Sequence, residues 1–153
     1  MRMVVAVVGK PRSAAMASII HDYEKRAARY WPLDVQEVRE ERAASLGVPA
    51  ITSRESQRLE EKAGSCSMVA CNPGGRSFTS LEFSAWLQSE REREHDIAFL
   101  IGGAHGLSDG ILERSTMRLS LAPWTLPHEL ARLVLAEQLY RAGSINRGEP
   151  YHK

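Results

Sequence analysis

Two stretches of the chain, Met3–Val8 (MVVAVV) and Ile97–Ile101 (IAFLI), are apolar at every position. A strand with one face in water alternates apolar and polar residues. A strand apolar throughout is covered on both faces, the condition of a central strand in a parallel sheet with helices above and below. The first run ends at Gly9 and the second at Gly102-Gly103. Any fold for this chain must therefore bury two strands completely and place bare-backbone turns at their ends.

The rest of the chain supplies the covering layers. Residues 13–30 carry Ile19, Ile20, Tyr23, Ala27 and Tyr30 near helical spacing, and Pro32 stops the helix. Residues 33–38 form a short strand. Residues 40–53 show no period, contain Gly47 and Pro49, and are expected to be a mobile surface loop. Thr52 or Ser53 then caps a polar helix over residues 54–63, ended by Gly64. Residues 68–71 form the third strand of the parallel set, followed by the turn Asn72-Pro73-Gly74-Gly75. Thr79 or Ser80 caps a helix to about residue 91 with Phe83, Trp86 and Leu87 on one face. A short helix follows from Ser108, then a strand over residues 117–121 and a last helix over residues 127–142. Strands alternating with helices predict one α/β domain over residues 1–153, with a mostly parallel sheet and helices on both faces.

Composition matters mainly for what it excludes. At 153 residues, with 43% hydrophobic and 25% charged content, the chain is an ordinary globular domain. Cys66 and Cys71 lie an odd number apart in one predicted strand and point to opposite faces, so they are not expected to pair. Without a Cys/His cluster at ligand spacing, no metal is expected. The amino terminus is too short in apolar residues for a signal peptide, and no apolar run spans a membrane, so a cytoplasmic location is expected. The net charge of +1 is unevenly spread. Residues 1–20 carry Arg2, Lys10 and Arg12 and no acid, and residues 114–153 carry six cations against three carboxylates. Basic ends of this kind fit either a solvated mixed surface or an anionic partner bound where they meet.

The sharpest features follow two strand ends. Gly102, Gly103 and Gly106 let the backbone approach a ligand without Cβ interference. The spacing matches neither the dinucleotide pattern nor a P-loop. After the strand over residues 117–121, Pro123 and Pro127 stiffen a loop carrying Trp124, Thr125 and His128. Such a loop offers fixed carbonyls and amides to an adenine edge. In open α/β sheets ligands bind outside the carboxyl ends of strands, so the active site is placed here. Pro127 suits a first helical position, with Glu129 near the positive end of the dipole. Ala131, Leu133, Val134, Leu135, Ala136, Leu139, Tyr140 and Ala142 leave the last helix apolar on nearly every side. It is either sandwiched within the monomer or buried against a second copy, and a homodimer is the expectation.

Read together, LIGGAHGL, LSLAPWTLPHELARLVLAEQLYRA and the closing GEPYHK resemble the RlmH family of small SPOUT-class methyltransferases, as do VVAVVGK and DYEKRAARYWPLDVQEV. The resemblance covers almost the whole chain. It implies a carboxyl-terminal deep trefoil knot, a homodimer, S-adenosylmethionine as cofactor, and methylation of N3 of a pseudouridine in 23S ribosomal RNA, on the assembled ribosome. The partners implied are that RNA and a second copy, with neither membrane nor DNA. By matching position, the cofactor is held by Cys71, Gly102, Gly103, Leu121, Ala122, Pro123, Trp124, Thr125 and Leu126. Where the family usually has Leu-Asp, two residues and Gly-Lys, this chain has Cys71-Asn72-Pro73-Gly74-Gly75-Arg76.

A sulfonium methyl donor is already activated, so the enzyme has to align the nucleophile and manage its proton, gains of about 10²–10⁴-fold for the proton and more for alignment. The candidates are His128, Arg132 one turn later, and Tyr151 and His152 on the tail. The alternative reading is a non-catalytic RNA- or ribosome-binding protein that retains the methyltransferase fold.

Overall fold

The computed structural model describes residues 1–42 and 45–153. Five strands, β1 (Met3–Val8), β2 (Leu33–Val38), β3 (Ser67–Ser77), β4 (Ile97–Ile101) and β5 (Met117–Ser120), form one sheet in the order β2-β1-β4-β3-β5. Every pairing between them is parallel. The two continuous apolar runs are therefore adjacent central strands. Alternate residues of β1 enter two different cores. Met3, Val5 and Val7 meet α1 (Ala14–Ala27), α3 (Ser80–Glu92) and α5 (His128–Asn146), while Val4, Ala6 and Val8 meet α2 (Val48–Ala63) and α4 (Asp109–Arg114).

The helix ends obey local chemistry. Ser13 caps α1 through its hydroxyl, and Thr79 and Glu82 form a reciprocal capping box on α3. The α1 helix ends at Ala27, three residues short of the expected end. The chain then turns so that Trp31, 2% exposed, enters the core and its indole donates to the Leu139 carbonyl at 2.8 Å.

Two expectations need correction. Of the expected loop over residues 40–53, Ala43 and Ala44 lie outside the described residues, and the part from Val48 onward belongs to α2. Gly47 is the N-cap and Pro49 sits in the first turn, where its missing N–H costs nothing. The Thr52 hydroxyl donates back to the Val48 and Pro49 carbonyls instead of capping. The turn Asn72-Pro73-Gly74-Gly75 does not end β3 either. Cys71 and Arg76 both register with Leu119 of β5, so the four residues are an excursion after which pairing resumes.

The last helix is sandwiched within the monomer, between α1 and α3 on one face of the sheet. Leu135 and Leu139 are at most 1% exposed and belong to this core, so the partner-facing role expected of the helix does not fall on them. Arg132 is 3% exposed, with its guanidinium paired to Glu24 of α1 at 2.6 Å and to Glu37 of β2 at 3.4 Å.

Gly143 marks the tightest helix contact, since a Cβ there would fall on the Tyr30 ring, which is anchored through its hydroxyl to Glu149. Gly143→Ala is expected to lower stability by about 1–3 kcal/mol, the usual cost of overpacking. Urea denaturation should show the loss, and Tyr30→Ala in the same chain should relieve part of it.

Candidate active site

Because all five strands run the same way, their carboxyl ends share one edge of the sheet, and a cavity of about 600 Å³ opens there. Its walls come from several strand ends. Cys71, Asn72 and Pro73 come from the excursion of β3, Ile101 to Ala104 and Gly106 from the end of β4, and Leu121, Ala122 and Trp124 to Leu126 from the end of β5. Pro127, His128, Glu129 and Ala131 close it from the start of α5.

The glycine turn is shaped by backbone contact. Gly103 and Gly106 bridge each other, with the Gly106 amide donating to the Gly103 carbonyl at 3.0 Å. Gly106 has φ +76°, a left-handed backbone that favours glycine. A Cβ on Gly102 would lie 2.6 Å from the Gly106 carbonyl carbon, so only glycine lets the turn close. A Cβ on Gly103 would press on Glu55 Oε2 and Val8 Cγ1, each at 3.0 Å. The bareness of Gly103 thus serves packing against the body of the protein, and that of Gly102 serves the turn.

Charge is sparse within the walls. Cys71 is half-buried, and the loss of water around its thiol pushes it up to about 12, so it presents a neutral apolar surface at pH 7. Asn72 accepts from the Gly74 amide at 2.9 Å and holds the excursion in a turn. His128 packs over Gly9, and its Nε2 is buried without a protein hydrogen-bond partner. Glu129 accepts from the Arg12 amide at 3.0 Å, tying the start of α5 to the end of β1. A second, larger cleft of about 930 Å³ adjoins the cavity and shares Arg12, Glu40 and His128 with it. Lys10, Arg39 and Arg42 line that cleft.

Eight of the nine expected cofactor residues line the cavity, and Pro123 does not. Of the expected catalytic residues, only His128 does. Arg132 stands behind it in its ion pairs, able to fix α5 against α1 and β2 but not to reach a ligand in the cavity. Tyr151 and His152 fold back on α5, where the Tyr151 hydroxyl donates to Glu137 at 3.1 Å and His152 Nδ1 lies 3.2 Å from Arg141. Glu137 is nine residues beyond His128, about 14 Å along the helix at 1.5 Å per residue. The tail is thus apart from its own chain's cavity. Burial, with hydrogen bonds to Tyr23 and Glu137, raises the Tyr151 phenol above its ordinary range, so it keeps its proton at neutral pH.

Sequence reasoning missed Arg12, Glu40, Asn72 and Glu129. Arg12 and Glu40 lie just beyond the carboxyl ends of β1 and β2, where the strand-end rule could have found them.

A family model described as predicted SPOUT methyltransferase matches residues 1–152. The chain belongs to the SPOUT methyltransferase family. It is 55% identical over 154 residues to ribosomal RNA large subunit methyltransferase H of Gemmatimonas aurantiaca, with 100% of each chain covered. The protein of the same name from Anaeromyxobacter dehalogenans is 42% identical, again over 100% of both chains. A solved probable methylase family protein from Haemophilus influenzae shares the fold at a TM-score of 0.58 and 14% identity, over 99% of this chain and 70% of that one.

As a SPOUT methyltransferase the protein uses S-adenosylmethionine, and the cavity fits that group. Its size suits a nucleoside with a short tail, its apolar walls suit the adenine, and its bare turn offers backbone groups at contact distance. Gly102→Ala forces Gly106 away and opens the turn. Calorimetry is expected to show S-adenosylmethionine binding weakened by at least ~10-fold, the equivalent of one or two lost hydrogen bonds. Unchanged affinity would remove the turn from the site.

Proposed function

We propose that the protein methylates N3 of a pseudouridine in 23S ribosomal RNA, acting on the assembled ribosome as a homodimer in the cytoplasm. The observation that carries the reading is the cavity itself, built from the strand ends that the family resemblance assigns to S-adenosylmethionine and open to a cleft lined by four cations, Lys10, Arg12, Arg39 and Arg42, and three carboxylates, Glu37, Glu40 and Glu41. The full-length similarity to proteins named ribosomal RNA large subunit methyltransferase H supports the substrate class. No helix among the described residues is long and apolar enough to cross a membrane.

When bound, S-adenosylmethionine supplies an activated methyl group. The chain's task is to orient the target and handle its proton. Leu121 to Leu126 and the glycine turn hold the cofactor, with Pro123 fixing the loop from outside the cavity. His128, at the wall shared by cavity and cleft, is our candidate to accept the N3 proton. Lys10, Arg12, Arg39 and Arg42 hold the RNA backbone, so binding weakens with salt. Arg132 acts by holding α5 in place.

The tail enters through the second copy. Its distance from its own cavity supports a composite site in which Tyr151 and His152 of one protomer close over the cavity of the other. Partner contact falls on the apolar groups that the monomer leaves uncovered. Leu81 is 58%, Trp124 78% and Leu130 37% exposed, as are Ile19 and Val48 in part, and a small cavity is lined by Phe78, Phe83, Leu119 and Val134. We read the chain as knotted on the family resemblance, with β5 lying against the β3 excursion, where a Cβ on Gly75 would lie 2.5 Å from the Arg118 carbonyl carbon.

The reading is tested on ribosomes lacking the modification. Full-length protein with S-adenosylmethionine should place one methyl group on the pseudouridine, located by mass spectrometry of the digested RNA. Deleting residues 150–153 should slow this by at least ~10²-fold, as for loss of an aligning or proton-transfer group, with little change in cofactor affinity. No methylation by the intact protein would refute the assignment. Full activity of the truncated one would return the chemistry to His128 alone.

A further inference from the structure

Glu55 is a buried carboxyl that none of the chemistry above uses. It lies in α2, is 2% exposed, and sits behind the glycine turn, where a Cβ on Gly103 would lie 3.0 Å from its Oε2. Its hydrogen bond is a long one, 3.4 Å from the Glu41 amide. Among the described residues no Lys, Arg or His nitrogen comes within 4.0 Å of it. Arg58, one turn further along α2, is committed to Glu41 at 2.6 Å and to the Arg39 carbonyl at 2.8 Å. A carboxylate removed from water without a cation is costly, and such groups ordinarily acquire a counter-charge or keep a proton. Its neighbour Ser56 accepts from the Ser108 amide at 3.0 Å, so adjacent residues of α2 brace both ends of the glycine turn.

We propose that Glu55 is a positioning residue whose counter-charge is the cofactor: the carboxylate behind Gly103 faces, through the bare turn, the positive charge of the bound sulfonium. This rests on the cofactor reading given above. In the free protein burial pushes the Glu55 carboxyl up from its ordinary value. Glu40 from the loop after β2 pushes the same way, while the Glu41 amide of that loop, Arg58 of α2 and His105 of the glycine turn oppose it. From β1 the uncharged Val8 packs at the same spot, 3.0 Å from where a Gly103 Cβ would lie. A cationic ligand stabilises the ionised form and lowers this pKa. Binding therefore releases a proton, and affinity rises with pH through the range in which free Glu55 titrates. Gly103 has no side chain to come between, and bare backbone is what lets a buried anion act across the turn.

The test compares full-length protein with Glu55→Gln, by calorimetry, for S-adenosylmethionine and for S-adenosylhomocysteine, which lacks the methyl group and the sulfonium charge. The Gln variant should weaken S-adenosylmethionine by at least about tenfold, the scale of one unit charge roughly 12 Å away at an effective dielectric near 20, and more if the charges lie closer. It should weaken the neutral thioether much less, so the preference between the two ligands shrinks. Equal losses for both would overturn the proposal and leave Glu55 as a brace of the turn. A second measurement does not depend on the variant folding. Wild-type binding in two buffers of different ionisation enthalpy should show net proton release together with affinity that rises with pH, and no release with flat affinity from roughly pH 5 to 8 would also overturn it. Failure of the wild type to bind either ligand would refute the cofactor reading itself, and this proposal with it.

Discussion

The parallel direction of every strand is the constraint on which the rest of the structure depends. A parallel sheet cannot be made from hairpins, so each connection must cross a face, and the faces become covered by helices. That covering is what allows β1 and β4 to be apolar throughout and at most 4% exposed. The same direction gathers all carboxyl ends at one edge, where the excursion of β3, the turn after β4 and the loop after β5 meet around one cavity. The site follows from the sheet, because no antiparallel arrangement of these strands would bring those three segments together.

Close backbone approach is the second requirement. At Gly75 and Gly102 a single Cβ would collide with backbone of another segment, Arg118 in one case and Gly106 in the other. Backbone cannot rotate aside as a flexible side chain can, so glycine is obligatory at those crossings. Arg132 performs the complementary work on the far side of His128. Its ion pairs with Glu24 and Glu37 hold α5, α1 and β2 in a fixed relation, and a buried arginine of this kind is destabilising if either partner is lost. The cavity is thus held rigid from behind by charge and shaped in front by the absence of side chains.

Much of this was legible in the residues. The apolar runs announced the central strands, Ser13 and Thr79 their helix caps, and the glycine turn with the Pro-stiffened loop announced the cavity. The start of α2 was hidden because its first turn carries Gly47 and Pro49, residues that read as loop unless proline is recognised as an N-terminal helix residue. The excursion of β3 looked like a terminus because local turn chemistry says nothing about whether pairing resumes. Arg132 was placed at the site because one helical turn from His128 is near in sequence, yet the side chain points to Glu24 across the helix interface. The position of the tail, too, depends on long-range packing, with the Tyr151 ring centred 4.4 Å from that of Tyr140 and tilted to it, which spacing along the chain cannot reveal.

The central claim is that segments from the ends of β3, β4 and β5 jointly hold one molecule of S-adenosylmethionine. The most direct measurement is a crystal structure of the full-length protein grown with S-adenosylmethionine. Density for the cofactor should lie between Gly102-Gly103 and the segment from Leu121 to Leu126, with Cys71 against it and His128 beside the methyl group. Cofactor density confined to the cleft of Lys10 and Arg39, leaving the glycine turn without contact, would contradict the account.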